Sequence, residues 1–430
     1  MSTETILILG GSFAGINAAH YALRHTVPKL PKKDGTTYTV TLVNPSKDFY
    51  WRIAAPRATA SGELMPASKL FYPIEPAFAY AQDQFTFVQG TATHVDSAGQ
   101  TVSVTTATGE QQSIPYVALI IATGISTPSP LFTQTTGADE LTNTYDAFHK
   151  ALAEAKTVVI GGGGPVGVET AGEIAEFLNG KPGFLASKPK DPKAKVTLIC
   201  AEKKLLPILR EAIAKKAEKY LNRLGADVVY NTKVVSATPA GEGEAYKSIV
   251  ELSDGKSLEA DIYIDATGAR PNTSFLPKEW LDNRNKVACN PKTLRVEHES
   301  AGARVYVIGD AGSYTRGGVQ DQGAAIPVVL TNLRTDLTAY ISGEAAGPDR
   351  HYEPNLSENQ LVPIGTSKGV GAAMGWKLPS IMVWMIKGRD YMIGMLAENQ
   401  LNGGNFKKEG KWKPQPAAAA ATAKTGLSSG

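Results

Sequence analysis

The chain opens with an apolar run, Ile6-Leu7-Ile8-Leu9, that breaks at Gly10-Gly11 and resumes as the small-residue stretch Ala14 to Ala19. A short apolar run closed by glycines and followed by small residues predicts a buried strand, a tight turn and a helix. The pattern returns at Lys156-Thr157-Val158-Val159-Ile160, followed by the glycines from Gly161 to Gly167 and the helical run Val168 to Phe177. This strand, turn and helix form the first βα unit of a dinucleotide fold, so the chain carries the same device twice.

Between the two units lies Leu119-Ile120-Ile121-Ala122-Thr123-Gly124, and an echo follows at Ile262-Tyr263-Ile264-Asp265-Ala266-Thr267-Gly268. Both read as buried strands whose small-residue ends let the backbone approach a crossover or a cofactor, and both mark places where the chain passes between domains. A third strand, Val305 to Ile308, ends in Gly309-Asp310 and leads through Gly317-Gly318 into an apolar helix, Ala324 to Leu337; it is placed back in the first domain. The Pro- and Lys-rich insert Leu178–Lys195 reads as a solvated loop. After Pro354 the composition turns to Gly, Met and Trp, and the Ala/Ser/Thr-rich end from Pro416 to Gly430 is expected to lack structure.

Composition narrows the function classes. A chain of 430 residues suits two or three domains, and 42% hydrophobic residues with 20% charged describe a soluble globular protein. A net charge of +3 leaves no footprint for nucleic acid. The two cysteines, Cys200 and Cys289, form no Cys-x-x-Cys pair, which removes dithiol shuttling, and the six histidines are scattered without metal-ligand spacing, so no metal is expected. No P-loop or nucleophile elbow is present. With the first strand beginning at Thr5, Ser rather than Gly at position 2 and no apolar run near 18 residues, the expected location is the cytoplasm.

A glycine-rich turn before a helix exposes backbone N–H groups at the positive end of the helix dipole, where a pyrophosphate is stabilised. Gly10, Ser12 and Gly15 occupy the G-x-G-x-x-G positions, with Gly11, Phe13 and Ala14 between them; Ser12 narrows the approach and offers a hydroxyl in return. The second fingerprint is complete in Gly162, Gly164 and Gly167. Either alone also fits a tight turn with close helix–strand packing, but two in order favour two bound dinucleotides. After the first fingerprint, the place of an acidic ribose ligand falls to Asn44, which still accepts through its carbonyl. In the second unit it falls to Cys200, with Glu202 suited to a ribose 2′-hydroxyl and Lys203 and Lys204 to a 2′-phosphate, so NADH and NADPH both stay open. Asp310, at a strand end before a glycine-rich approach to a helix, suits flavin ribityl hydroxyls.

The order of these motifs, with Gly-Val-Glu-Thr-Ala-Gly-Glu after the second fingerprint and Ala-Thr-Gly-x-x-Pro-Asn later, resembles the pyridine-nucleotide flavoprotein superfamily. More narrowly, Ala54-Ala55-Pro56-Arg57, Gly365 to Gly371 and Lys387-Gly388-Arg389-Asp390 are similar to the apoptosis-inducing-factor-like, or ferroptosis-suppressor, quinone reductases, and less so to type II NADH dehydrogenases. The resemblance implies an α/β fold with two Rossmann-like dinucleotide-binding domains, of the glutathione-reductase-like FAD/NAD(P) kind, plus a small C-terminal domain. Its expected bounds are 1–128 and 263–350 for the FAD-binding domain, 129–262 for the NAD(P)H-binding domain, 351–405 for the C-terminal domain and 406–430 for a disordered tail. It further implies FAD held by Gly10 to Gly15, Arg57, the backbone near Ala92 and Asp310, with Ala122, Thr123 and Gly124 alongside. Glu169 and Lys387 match charged groups near the flavin and nicotinamide rings that orient them and stabilise charge. The reaction implied is hydride transfer from NADH or NADPH to FAD, then onward to a quinone or another small acceptor. Rival readings are a reductase of a ferredoxin-like protein and a redox-sensing or cell-death signalling flavoprotein.

Five of the seven methionines, Met374, Met382, Met385, Met392 and Met395, cluster with Trp376 and Trp384 beside Lys377, Lys387 and Arg389. Such a surface suits a quinone ring or peripheral attachment to a membrane such as the mitochondrial outer surface, and packing on the flavin domain or a second subunit is the plainer alternative.

Overall fold

The computed structural model describes residues 2–32, 35–133, 137–183, 187–241 and 246–413. The expected low-complexity end, Pro416 to Gly430, lies outside the described residues, as do residues 184–186 of the insert.

The N-terminal apolar run becomes strand Ser2–Leu9, buried over its last four residues and set in the middle of a seven-stranded sheet. Thr36–Asn44 and Ala118–Ile121 flank it in parallel, while Phe85–Asp96 and Val305–Val307 extend the parallel set on either side. Thr101–Thr106 and Gln111–Pro115 continue the sheet antiparallel. Parallel strands are covered on both faces, which is why Ile6–Leu9, Ala118–Ile121 and Val305–Val307 are apolar without alternation.

A second sheet repeats the plan. Its order is Ala226–Val229, Lys195–Ile199, Thr157–Gly161, Ile262–Asp265, all parallel. In each sheet the glycine-turn strand sits between the strand that follows it and the strand that ends in Ala-Thr-Gly. Each also carries an antiparallel meander inserted before that last strand; in the second unit it is Val234–Pro239, Ser248–Leu252 and Ser257–Ala260. The strand at Val305–Val307 joins the first sheet beside Ala118–Ile121.

Helix α1 (Phe13–Tyr21) is buried at all nine positions, and the short α2 (Ala55–Ala60) at all six. Helix α3 (Ala138–Glu154) buries Leu141, Tyr145, Phe148 and Leu152, one helical face. Helix α4 (Pro165–Asn179) follows the second glycine turn, α5 (Glu211–Arg223) covers the second sheet, and α6 (Gln322–Ser342) packs on α1. The insert after α4 is closed at its base, where the Asn179 amide donates to Ala194 O (3.1 Å) and accepts from Ala194 N (3.0 Å).

The two crossings lie side by side. Ile125–Ser126 pairs antiparallel with Arg270–Pro271, and the Asn272 amide donates to Thr123 O at 2.9 Å while Thr123 Oγ1 donates to Asn272 O at 2.7 Å. Beyond them a three-stranded antiparallel sheet, Gln360–Ile364, Lys368–Ala373 and Trp376–Lys377, lays its first strand on α4. The chain then returns to α1. His20 Nε2 lies 2.8 Å from Leu401 O, Arg24 donates to Gly403 O at 2.7 Å, and His25 Nε2 lies 2.7 Å from Phe406 O. Within the span expected from sequence as a loose tail, Phe406 is buried and Glu409 pairs with Arg334 and Lys29.

Candidate functional site

The two glycine turns are built alike. Gly10 and Gly162 have φ of +104° and +117°, a region open to glycine, and a β-carbon on either would stand 2.4 or 2.2 Å from the carbonyl oxygen of Ala122 or Ala266. A β-carbon on Gly15 would lie 1.7 Å from Gly10 O, and on Gly167 1.9 Å from Gly162 O, so each helix rests directly on its own turn. Under Gly11 sits Asn44, and under Gly163 sits Cys200, at equivalent places. Ser12 and Gly164 are the N-caps of α1 and α4, both extended and neither making a side-chain cap bond. Free N–H groups at both helix starts thus face outward, as a pyrophosphate requires.

Both turns open on one cavity of about 750 Å³. The first unit contributes Gly10 to Ala14, Asn44, Ala92, Ala122 to Gly124 and Asp310; the second contributes Gly164, Pro165, Val166, Ala266 and Gly268. The Asn44 amide braces the turn, accepting from Gly11 N at 2.8 Å and donating to Ser46 O at 2.7 Å, which leaves one acceptor lone pair on Oδ1. Asp310 Oδ1 accepts from Gly318 N at 2.8 Å, holding the glycine approach to α6 against the cavity. A glycine cradle that a β-carbon would fill, with a carboxylate beside it, fits a dinucleotide.

Away from the cavity wall, α4 carries three buried acids on one face, Glu169, Glu173 and Glu176. The Lys387 ammonium donates to Glu169 Oε1 at 2.5 Å and to Leu361 O at 3.2 Å. Burial pushes the Glu169 carboxyl up to about 7, against the pull of the Lys387 charge. Arg57 meets Glu173 through Nε and Nη2, at 3.1 and 2.8 Å, and gives Nη1 to Gly388 O (2.8 Å) and Arg389 O (3.1 Å), with Nη2 reaching Gly365 O at 3.5 Å. The Tyr391 hydroxyl also donates to Glu173, at 3.0 Å, and Glu176 takes Thr366 N at 3.1 Å together with the Thr366 hydroxyl.

Arg57, expected beside the flavin, has all five guanidinium donors bonded inside the protein and stands apart from the cavity lining. Glu169 and Lys387 do come together, one turn behind Pro165 rather than on the wall. Glu202 is exposed beyond the end of its strand, while the Lys204 ammonium turns back to Leu209 O.

A family model for the pyridine nucleotide-disulphide oxidoreductases matches residues 4–325. The chain belongs to this family. Among similar proteins, the oxidoreductase phnG of Penicillium herquei is 44% identical over 398 residues, covering 91% of this chain and 94% of that protein. Ferroptosis suppressor protein 1 of Homo sapiens is 26% identical, covering 90% and 93%. Of solved structures, a sulfide:quinone oxidoreductase from Aquifex aeolicus superimposes with a TM-score of 0.68 at 16% identity, covering 93% of this chain and 92% of that one. NDH2 from Plasmodium falciparum gives 0.65 at 17%, covering 94% and 98%.

As a pyridine nucleotide-disulphide oxidoreductase the chain is an NAD(P)H-dependent flavoprotein, with FAD and NAD(P)H as its cofactors. The dithiol of the family's name has no counterpart: Cys200 and Cys289 are both free, buried and in different parts of the fold. In this family member sequence reasoning missed Tyr50, Arg52, Ser274, Phe275, Val319 and Gln322, which also line the cavity. Phe275 and Ser274 lie just after the Pro271-Asn272 of the second crossing, and that motif was the available signal. Tyr50 carries none: its hydroxyl is buried against Tyr145 (2.8 Å), and burial pushes it up to about 12.

Proposed function

We propose that this flavoprotein takes hydride from NADH or NADPH and hands the electrons to a quinone-like small acceptor. The observation that carries the reading is the one cavity lined from both glycine turns and both Ala-Thr-Gly segments, where two bound dinucleotides would lie within reach of each other. In this reading Gly10 to Gly15, Asn44, Ala92, Ala122 to Gly124 and Asp310 hold FAD, and Gly162, Gly164, Gly167 and Glu202 hold the pyridine nucleotide. The assignment of 1–128 with 263–350 to one domain and 129–262 to the other rests on the same footing. Flavin supplies hydride acceptance and onward delivery of the electron pair.

The rest falls to the protein's own groups. Reducing a quinone to a hydroquinone takes two electrons and two protons; the hydride accounts for both electrons and one proton, so one more proton must be delivered. We assign the relay of that proton from behind the cavity wall to Glu169, which holds a proton up to about pH 7, and the Lys387 ammonium beside it. The acceptor's approach is assigned to the C-terminal segment, where Met374, Trp376, Ile381, Met382 and Met385 are exposed beside Lys377. Among the described residues no helix is long and apolar enough to cross a membrane, so the contact proposed is peripheral, on the cytoplasmic side of a surface such as the mitochondrial outer membrane.

The test is a pair of anaerobic half-reactions on purified protein. NADH or NADPH should bleach the flavin band, and a soluble quinone should restore it. Met382→Ser with Met385→Ser should slow the second step and weaken binding to anionic vesicles, leaving the first step intact. A flavin that NAD(P)H bleaches but only a ferredoxin-like protein reoxidises would replace the acceptor in this reading.

A further inference from the structure

We propose that Arg57 is a positioning residue: by gripping the turn that carries Lys387, it keeps the Lys387 ammonium seated on Glu169. The inference rests on the proton role given to Glu169 above and adds what holds that pair together.

Lys387 sits in a π-helical turn, Trp384–Gly388, and the chain then passes through Tyr391 and Met392 with φ of +53° and +63°. Residues with side chains rarely adopt that conformation unless their surroundings hold them there. The holding groups converge from three directions. Arg57 Nη1, from α2, takes the carbonyls of Gly388 and Arg389, the two residues after Lys387. Glu173, from α4, accepts from both Arg57 Nη2 and the Tyr391 hydroxyl on Oε1. Trp51 Nε1 donates to Tyr391 O at 2.9 Å. The Arg57 guanidinium also lies 4.8 Å over the Tyr391 ring, so the arginine covers the turn as well as bonding to it.

Glu173 and Glu169 stand four residues apart on one face of α4, so a clamp on Glu173 and a lysine on Glu169 share one rigid ruler. Arg57 fixes the turn to Glu173, and the turn fixes Lys387 to Glu169. The charged and titratable groups that face Glu169 are Lys387, Glu173, Arg57 and Tyr391. Of these, Lys387 is the cation in contact with it, and its removal from that contact leaves only the more distant charge at position 57 against burial and the Glu173 charge.

Arg57→Lys separates grip from charge. A lysine retains the positive charge near Glu173, but its single nitrogen cannot serve a carboxylate and two carbonyls in the fork geometry of arginine. The primary readout is the Glu169 carboxyl itself, followed by infrared titration of the oxidised holoenzyme, with Glu169→Gln identifying the band. Arg57→Lys should bind FAD one to one, and the Glu169 titration should move up by about 1 pH unit. In a Lys387→Met background, the same Arg57→Lys change should produce no further movement.

An unmoved titration in folded, yellow Arg57→Lys overturns the proposal. So does an equal movement with and without Lys387, which would mean that Arg57 acts by its charge alone, and so does loss of flavin from a folded variant, which would make Arg57 a cofactor ligand. Should Arg57→Lys fail to fold, Tyr391→Phe removes one neutral tie of the same turn and is judged by the same titration. If the titration moves while the pH profile of quinone turnover stays put, the positioning role stands and the part given to Glu169 in turnover falls.

Discussion

The helices that follow the two glycine turns, α1 and α4, start from superimposable logic and end in different chemistry. Each rests on its turn through a glycine that leaves no room for a β-carbon, Gly15 in one and Gly167 in the other. Yet α1 is buried without a single acidic residue, and its outward polar groups, Asn17 and His20, are met by the returning C-terminal chain at Gln400 and Leu401. Helix α4 is buried with three glutamates, met by Arg57, Lys387 and Thr366. The same βα device thus serves as a neutral packing element in one unit and as a charged seam in the other. Helix propensity and glycine spacing settle the cradle, and the partners laid over the far side of the helix settle what it does.

The sharpest way to break this comparison is at the cradles. Gly15→Ala should purify without flavin, because its β-carbon meets backbone rather than a movable side chain. Gly167→Ala should purify yellow but resist bleaching by NADH or NADPH. Two colourless proteins would merge the cradles into one cofactor site.

Next in size are the anchors on the outer faces. Arg57→Leu strands the buried Glu173 carboxylate and should cost about 3–5 kcal/mol in chemical denaturation. Asn17→Ala, the neutral counterpart on α1, should cost about 1–3 kcal/mol. Equal losses would remove the distinction between the two helices.

A smaller effect sharpens the contrast through pH. In the fold Glu169 keeps its proton up to about pH 7, whereas in the unfolded chain it releases it near 4.5. Its protonation therefore favours the fold below pH 4.5, and that contribution fades as pH rises to 7 and is absent above. Glu169→Gln should flatten the fall in melting temperature between pH 5 and 7 relative to the parent protein; an identical slope in both would show that the Glu169 titration does not couple to folding.

The smallest change exchanges the one position at which the fingerprints differ. A β-carbon at Gly164 meets nothing within 4 Å, so Gly164→Ser should alter stability by less than about 0.5 kcal/mol while raising the KM for NAD(P)H. Ser12→Gly should leave flavin content unchanged.

Much of the frame is legible in the chain because it depends on neighbours in sequence. Both cradles, both Ala-Thr-Gly strand ends and the return of Val305–Val307 follow from apolar runs closed by glycine. The charged seam does not, because its partners come from far along the chain: Arg57 meets Glu173 and Gly388, and Glu169 meets Lys387. A glutamate every turn on a helix ordinarily marks a solvated face. The signal available was that the positions around them include the apolar Val168, Ala171, Ile174 and Ala175, so the glutamates sit on a helix that is apolar on more than one face. The bonds that Arg57 makes were hidden for the same reason, since a motif gives the residue type and not the acceptors that take up its donors.

The pairing of Leu119 with Val305 also sets an order in time. During synthesis the second sheet can close as soon as Ile262–Asp265 has emerged, but Ala118–Ile121 keeps an open edge until the chain has made that whole second unit and come back. An apolar parallel strand waiting for a distant partner is slow to complete and prone to intermolecular pairing. Nascent chains stalled just before Val305 should therefore be the most aggregation-prone point of this protein's life, and the buried hydrophobic edge, rather than either cofactor cradle, is where a chaperone would be needed.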